Sequence, residues 1–144
     1  MNLIKNRSFF IILLILSFLG FLDSAYLTIL HYQNSLPPCS VTSGCEEVLA
    51  SAYSTLGPMP IALFGVIFYL AVIVLCLFLT TNYKKIYLKI LYLFIFVGFV
   101  VSVILFEVQA FILRSFCQYC VLSEVITTAL LILVFLRYLG NKKN

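Results

Sequence analysis

The sequence predicts an all-α membrane protein built as a bundle of four transmembrane helices. Of its 144 residues, 64% are hydrophobic and only 10% are charged, whereas a water-soluble domain carries about 25% charged residues. The chain contains four apolar runs, each long enough to cross ~30 Å of hydrocarbon as a helix. Because backbone groups in lipid must bond within their own segment, these runs are expected to be helical.

The four predicted helices belong to a single domain that covers residues 1–144. They are expected at about residues 8–31, 60–81, 85–112 and 116–139. The first run follows Lys5 and Arg7, as a signal peptide would. It continues well past Asp23, however, and no small-x-small cleavage motif follows it, so we read it as a retained helix.

Basic residues predict the orientation of the bundle. Eight of the nine Lys and Arg residues fall on one side of a four-helix arrangement: Lys5, Arg7, Lys84, Lys85, Lys89, Arg137, Lys142 and Lys143. Because cytoplasmic segments carry the excess of Lys and Arg, both termini are expected to be cytoplasmic in a multi-pass protein of the plasma membrane. The 31–60 loop, which has no Lys or Arg, then faces outward, as does the turn at Arg114.

The same charges bear on partners. No basic patch interleaved with polar residues is present, so nucleic acid is not an expected partner. The four apolar runs make the lipid bilayer an expected partner.

The outer loop is expected to carry a short capping helix between the first and second transmembrane helices. Pro37 and Pro38 require an extended start. Ser43 and Glu46 then have the spacing of a capping box, which favours a helix through Ala50. Two readings of this segment stay open: an ordinary surface loop, or a lid over a cavity between the helices.

Four of the five cysteines are predicted to lie on the outer side of the membrane. Cys39 and Cys45 lie in the outer loop, and Cys117 and Cys120 lie at the outer end of the fourth helix. Disulfides persist in such oxidising compartments. Cys76 lies deep in the second helix and is expected to be a small buried packing residue.

The Cys117-x-x-Cys120 spacing is typical of redox sites, because two sulfurs can close a disulfide across one helical turn and reopen it by exchange. Ser115 and Gln118 also have capping-box spacing. If Ser115 caps the helix, Cys117 lies in the first turn, where the helix dipole stabilises a thiolate. Electrons are then expected to pass from a soluble dithiol protein through the loop pair to Cys120 and a lipid-soluble quinone.

Other readings of the cysteines stay open. Two static disulfides would staple a non-catalytic four-helix membrane protein. A four-cysteine zinc site is disfavoured, because the five residues between Cys39 and Cys45 make a poor zinc knuckle. Unrelated free thiols are disfavoured on an oxidising face. We therefore expect no metal.

Two acidic residues within predicted helices are candidates for proton transfer. Asp23 lies in the first helix, and Glu124 follows Cys120 by four residues, which puts both on one face of the fourth helix. Intramembrane acids are costly and suggest function, and quinone reduction needs two protons. The alternative is hydrogen bonding between helices, for example between Glu107 and Arg114.

Several further motifs follow one another in a fixed order. They are Asp23–Thr28, the spaced pair Cys39 and Cys45, Ser51 six residues later, the Leu56–Gly65 run, the Phe68-Tyr69 pair and the CxxC motif. This combination, from about Ser17 to Leu139, resembles the vitamin K epoxide reductase (VKOR) family in its bacterial or archaeal form. The resemblance implies a single VKOR-like transmembrane domain without a fused thioredoxin-like domain.

The resemblance also implies roles for individual residues. The bundle is expected to surround a quinone (menaquinone or ubiquinone), with Cys45 forming a mixed disulfide with Cys117 and Cys120 facing the quinone ring. The residues implied near the quinone are Ser51, Phe64, Phe68, Tyr69 and Tyr119. Bacterial members oxidise a thioredoxin-fold partner. Since this chain ends at Asn144, a separate extracytoplasmic thiol oxidase of the DsbA type is expected.

Two positions depart from the animal members of the family. Ile61 stands where they have an asparagine that hydrogen-bonds a quinone oxygen, and Glu124 stands where they have a tyrosine. The expected reaction is therefore disulfide formation coupled to quinone reduction rather than epoxide reduction. Membrane proteins of the DsbB type also have four helices and two cysteine pairs, but their pairs occur in the opposite order.

Overall fold

The computed structural model describes residues 2–142, with side chains within residues 7–140. The side chains of Lys5, Lys142 and Lys143, predicted to be cytoplasmic, lie outside the described residues. In chain order the elements are α1 (Asn2–Tyr32), α2 (Cys45–Ala50), β1 (Thr55–Leu56), β2 (Met59–Pro60), α3 (Ile61–Thr81), α4 (Lys85–Glu107) and α5 (Gln118–Lys142). A 3-10 turn, Ala52–Ser54, follows α2, and a π-helical segment, Val108–Leu113, continues α4.

Four helices of the described chain are long and apolar enough to cross a membrane. They cover Arg7–Tyr32, Ile61–Thr81, Lys85–Leu113 and Gln118–Gly140. Large apolar side chains such as Ile15, Leu70 and Ile104 are exposed on their outer surfaces, as a lipid-facing surface requires. The predicted all-α fold, with four transmembrane helices and a short helix in the loop between the first two, is confirmed.

Helix α1 packs most extensively on α3, and a small residue allows this close approach. A Cβ atom added at Gly65 would lie 2.6 Å from the Ser24 hydroxyl oxygen of α1. Small residues at helix contacts let transmembrane backbones approach closely. The α1–α3 pair therefore forms one side of the bundle, while α4 packs on α5 to form the other.

The main apolar core lies between the four helices. Its fully buried members include Leu13, Val72, Leu91, Leu130 and Val134. Cys76 is a free thiol in this cluster with no exposed surface, which confirms its prediction as a packing residue. Dispersion contacts in such a core take the place of the hydrophobic driving force, which lipid does not supply between helices.

The capping box predicted for the loop helix is not formed. Helix α2 begins at Cys45 with Gly44 as its N-cap, and no side chain caps it. Gly44 lies against the turn that precedes α5, where an added Cβ would be 2.8 Å from the backbone nitrogen of Phe116. Because glycine has no side chain, α2 packs directly against the CxxC segment. The N-cap residue is therefore determined by this tertiary contact and not by a local capping box.

The start of the fourth transmembrane helix also differs from prediction. Helix α5 begins at Gln118, and the Cys117 carbonyl accepts the Val121 N–H at 3.0 Å. Cys117 therefore occupies the N-cap position and not the first turn. Ser115 does not cap the helix, because its hydroxyl donates to the Glu47 carboxylate of α2. The spacing of Ser115 and Gln118 indicated a local cap. In the structure both side chains instead form hydrogen bonds with the outer loop, Ser115 with Glu47 and Gln118 with Val41.

Candidate active site

The four predicted redox cysteines meet at one end of the bundle. Cys39 and Cys45 are joined by a disulfide, and Cys117 and Cys120 are free thiols. Cys45 and Cys117 have no exposed surface and share a small cluster with Val48, against which Cys39 and Cys120 pack. The loop pair therefore lies directly against the helix pair. Two static disulfides are not present in this state of the molecule.

The outer loop is fastened to the CxxC segment by the two residues between its cysteines. The Gln118 side-chain oxygen accepts the Val41 N–H at 3.0 Å, and the Tyr119 hydroxyl donates to the Pro38 carbonyl at 3.2 Å. The Tyr119 ring also packs on Tyr26, with ring centroids 5.6 Å apart. These bonds flank Cys39, and the bond from Ser115 to Glu47 fastens α2 beside them.

Cys117 lies where a thiolate is stabilised. The hydrogen bond with the Cys120 thiol lowers the pKa of Cys117 to about 7, and the backbone N–H groups of Cys120 and Tyr119 contribute further. Burial acts in the opposite direction and is outweighed. The predicted thiolate stabilisation at the helix start is thus present, although Cys117 precedes the first turn.

A cavity of about 590 Å³ lies between the four helices beneath the outer loop. Its volume is within the usual range of small-molecule sites, ~300–1,000 Å³. The predicted site residues in its lining are Asp23, Ser51, Phe64, Phe68, Tyr69, Cys120 and Glu124. Val48 and Leu49 of the loop line it as well, so the loop covers the cavity as a lid. Tyr119 lies outside this lining, beside the cysteine cluster.

Aromatic rings form one side of the cavity. Phe68 stacks on Phe94 of α4 with centroids 5.2 Å apart. It lies so close to Gly98 that a Cβ at that position would overlap its ring. Tyr69 differs from the phenylalanines, because its hydroxyl is bonded to the Ser123 and Thr127 hydroxyls of α5 at 2.8 and 2.9 Å. Its hydroxyl thus ties α3 to α5.

The two acids predicted for proton transfer both line the cavity, and each has a free oxygen. Asp23 Oδ2 and Glu124 Oε2 are buried without a hydrogen-bond partner among the described residues. Glu124 Oε1 instead accepts a hydrogen bond from Gln109 at 2.9 Å. Within residues 7–140, Glu107 and Arg114 form no hydrogen bond or ion pair with each other, so the bonding suggested for them is not formed.

Gln109, to which the sequence assigned no role, contacts both Cys117 and Glu124. It is 3% exposed in the Val108–Leu113 segment, whose other residues are apolar. The sequence shows only a single amide side chain eight residues before Cys117. Hydropathy alone does not distinguish such a residue from a polar side chain without a specific partner. Its partners become visible only when α4 and α5 are brought together.

Within the described residues, no three side chains of His, Cys, Asp and Glu are grouped to hold a metal ion. The Cys39–Cys45 bond also removes two of the four ligands that the zinc reading required.

The four transmembrane helices bring a loop disulfide, a dithiol at a helix start and an apolar cavity together. This arrangement defines the class of membrane thiol–disulfide oxidoreductases. The family model described as the vitamin K epoxide reductase family matches residues 11–135, and the chain belongs to that family. No match was found among curated proteins.

Proposed function

We propose that this protein forms disulfide bonds by transferring electrons from a soluble thioredoxin-fold protein of the DsbA type to a membrane quinone, menaquinone or ubiquinone. The electrons pass through Cys39 and Cys45 to Cys117 and Cys120. One observation carries the proposal: all four cysteines pack together, and Cys120 also lines the cavity beneath them.

The proposed relay consists of balanced exchange steps. A partner dithiol reduces the Cys39–Cys45 disulfide and leaves as a disulfide itself. The Cys45 thiolate then attacks Cys117 of an oxidised Cys117–Cys120 pair, which forms a mixed disulfide and releases Cys120. Cys39 attacks Cys45 and restores the loop disulfide, leaving the helix pair reduced. The Cys39–Cys45 disulfide and the free thiols of Cys117 and Cys120 support the inclusion of this last state in the relay.

Cys117 suits the exchanging role in this relay. With a pKa of about 7, it is both a good nucleophile and a good leaving group near neutral pH. Cys45 is its neighbour in the buried cluster. Cys120 is the cysteine of the helix pair that lines the cavity, which supports its role as the electron donor to quinone.

The cavity residues fit a quinone by their chemistry. Phe64, Phe68 and the ring of Tyr69 supply apolar aromatic surface, and Ser51 supplies a hydroxyl at the loop side. A bound quinone accepts two electrons and two protons. The unpartnered carboxyl oxygens of Asp23 and Glu124 are suited to hold and transfer protons there.

The proposal is limited to quinone reduction. Ile61 lines the cavity where animal family members have a hydrogen-bonding asparagine, and its side chain offers no donor or acceptor. Epoxide reduction is therefore not part of the proposed function.

The proposed orientation places both termini in the cytoplasm and the cysteine cluster outside. Arg7 begins the first transmembrane segment, Lys84 precedes α4, and Arg137 lies in the last turns of α5. The Arg137 guanidinium lies 5.7 Å from the centre of the Phe9 ring, so the start of α1 and the end of α5 are adjacent. This basic end is opposite the cysteines, as the positive-inside rule requires for an extracytoplasmic site.

The test combines turnover with trapping. Purified protein in lipid nanodiscs should oxidise a reduced thioredoxin-fold dithiol protein only when quinone is present. The Cys120→Ala variant should lose turnover and accumulate a Cys45–Cys117 disulfide, seen as a gel shift after thiol alkylation. Cys76→Ala is the matched control, because Cys76 lies in the apolar core, and it should retain turnover.

The rival function is a non-catalytic membrane bundle stapled by two disulfides. That reading predicts fixed Cys39–Cys45 and Cys117–Cys120 bonds that never exchange, and no quinone-dependent oxidation. Either result in the trapping experiment would reject the proposed relay.

A further inference from the structure

The π-helical segment Val108–Leu113 ends the third transmembrane span just before the CxxC motif. Such segments are rare and occur frequently at functional sites. Arg114 ends the segment in the left-handed conformation, with φ of 52°. The N–H groups of Arg114 and Ser115 both bond to the Gln109 carbonyl, the second at 3.1 Å. The turn into the CxxC motif is therefore anchored on Gln109.

The side chain of Gln109 joins the same turn to the cavity. Its Oε1 accepts the backbone N–H of Cys117 at 3.1 Å, and its Nε2 donates to Glu124 Oε1 at 2.9 Å. Because Gln109 is 3% exposed, neither bond competes with bulk water. One buried amide therefore connects the first redox cysteine with the acid of the cavity.

Glu124 is left with one bound and one free oxygen. Its Oε2 is buried without a partner among the described residues, and the residue lines the cavity together with Cys120. The titratable groups facing it are Cys117 and Cys120 at the start of α5, Asp23 from α1 and Tyr69 from α3. From α4 the facing group is the neutral Gln109 amide.

We propose that Gln109 is a positioning residue that holds the Glu124 carboxyl beside Cys120, so that Glu124 transfers the proton released when the Cys117–Cys120 disulfide forms. This inference rests on the proposed function. The bond to the Cys117 N–H fixes the amide, and the amide orients Oε1 of Glu124 so that Oε2 stays free.

The proposed step is balanced. Closing the Cys117–Cys120 bond from the dithiol releases two electrons and two protons, and all four are taken up by the quinone as it becomes a quinol. Glu124 accepts the Cys120 proton on Oε2 and gives it up again, so its own state is unchanged after each turnover.

Three variants separate positioning from mere packing. Gln109→Leu keeps the size of the side chain and removes both hydrogen bonds. Gln109→Glu keeps an acceptor for Cys117 but can donate to Glu124 only when protonated. Thr128→Val is the matched control, because its hydroxyl bonds only the backbone carbonyl of Glu124, at 2.8 Å. Each variant is compared in quinone reduction by the reduced protein across a range of pH.

Gln109→Leu should slow quinone reduction about 100-fold, the lower range for loss of a positioned proton-transfer group, at every pH. Gln109→Glu should recover much of the rate at low pH and lose it as pH rises, because the added carboxyl must be protonated to donate. Thr128→Val should match the unmodified protein. Equal impairment of both Gln109 variants at all pH values would mean a packing role and would overturn the inference.

A second measurement does not depend on turnover or quinone. The infrared difference spectrum between dithiol and disulfide forms of the quinone-free protein should contain a carboxyl band that Glu124→Gln removes. Loss of its hydrogen bond in Gln109→Leu should move this band to higher frequency. A band that is unchanged in Gln109→Leu, or absent from the unmodified protein, would reject the inference.

The two proposals fail in different ways. If the unmodified protein shows no quinone-dependent oxidation, the proposed function fails. If it turns over normally and the Gln109 variants keep its pH profile and carboxyl band, only the role of Gln109 fails.

Discussion

At the scale of residues, the two cysteines of the CxxC motif have different surroundings. Cys117 lies in the buried cluster with Cys45, whereas Cys120 lines the cavity. The hydrogen bond between the two thiols depresses the pKa of Cys117 to about 7. The CxxC spacing predicted redox chemistry, and the family resemblance implied separate roles for the two cysteines. The physical cause of the low pKa is mainly the second cysteine rather than a complete helical turn.

Replacing the donor thiol should therefore raise the pKa of Cys117. In a variant that lacks Cys39, Cys45 and Cys76, the ultraviolet absorbance of the thiolate should appear with a midpoint near pH 7. Adding Cys120→Ala should move this midpoint to higher pH, because the hydrogen bond to the thiolate is lost. Cys120→Ser retains a donor and should keep the midpoint low. Identical midpoints in the Ala and Ser variants would contradict this assignment.

At the scale of elements, the outer loop packs on the start of α5 and brings the two cysteine pairs into contact. Helix α2 has no side-chain cap, and its position is set by Gly44 against Phe116 and by the bond from Ser115 to Glu47. Capping-box spacing could not predict the position of α2, because a serine hydroxyl can form a hydrogen bond with its own helix or with another element. Which hydrogen bond forms depends on the element that packs against the hydroxyl in the folded protein.

Loosening the loop should slow the internal exchange between Cys45 and Cys117. Tyr119→Phe removes the bond to the Pro38 carbonyl and keeps the ring on Tyr26. A hydrogen bond of ~1 kcal/mol corresponds to a rate loss of about 5-fold. Rapid-quench alkylation would measure it. Tyr32→Phe, at an exposed ring at the end of α1, is the control. Equal exchange rates in both variants would show that this bond does not hold the loop.

The α3–α4 contact should control the affinity for quinone. A Cβ at Gly98 would overlap the Phe68 ring, which has to move. Gly98→Ala is therefore expected to raise the KM for quinone about 5-fold or more, because overpacking costs ~1–3 kcal/mol, with a smaller effect on thiol exchange. Gly140→Ala is the matched control, because nothing lies within 4 Å of its added Cβ. An unchanged KM in Gly98→Ala would exclude Phe68 from the quinone site.

For the whole molecule, hydropathy and the order of motifs predicted most of the architecture. The four apolar runs correspond to the four transmembrane helices. The loop helix was predicted from the spacing of Ser43 and Glu46, and it is present although that capping box is not formed. The contact between Gln109 and Glu124 could not be predicted in the same way, since fifteen residues and a π-helical irregularity separate them. Periodicity assigns residues to faces, but it cannot reveal where a regular helix gains a residue.

The burial of Cys117 beneath the fastened loop has a further consequence. Cys117 has no exposed surface, and the covering loop is held on both sides of Cys39 by Gln118 and Tyr119. We expect small thiols such as glutathione to be kept from the helix pair, while a protein that docks on the loop can reduce Cys39–Cys45. If the proposed function holds, this arrangement reserves the oxidising power of the quinone for proteins that dock on the loop and does not spend it on soluble reductants.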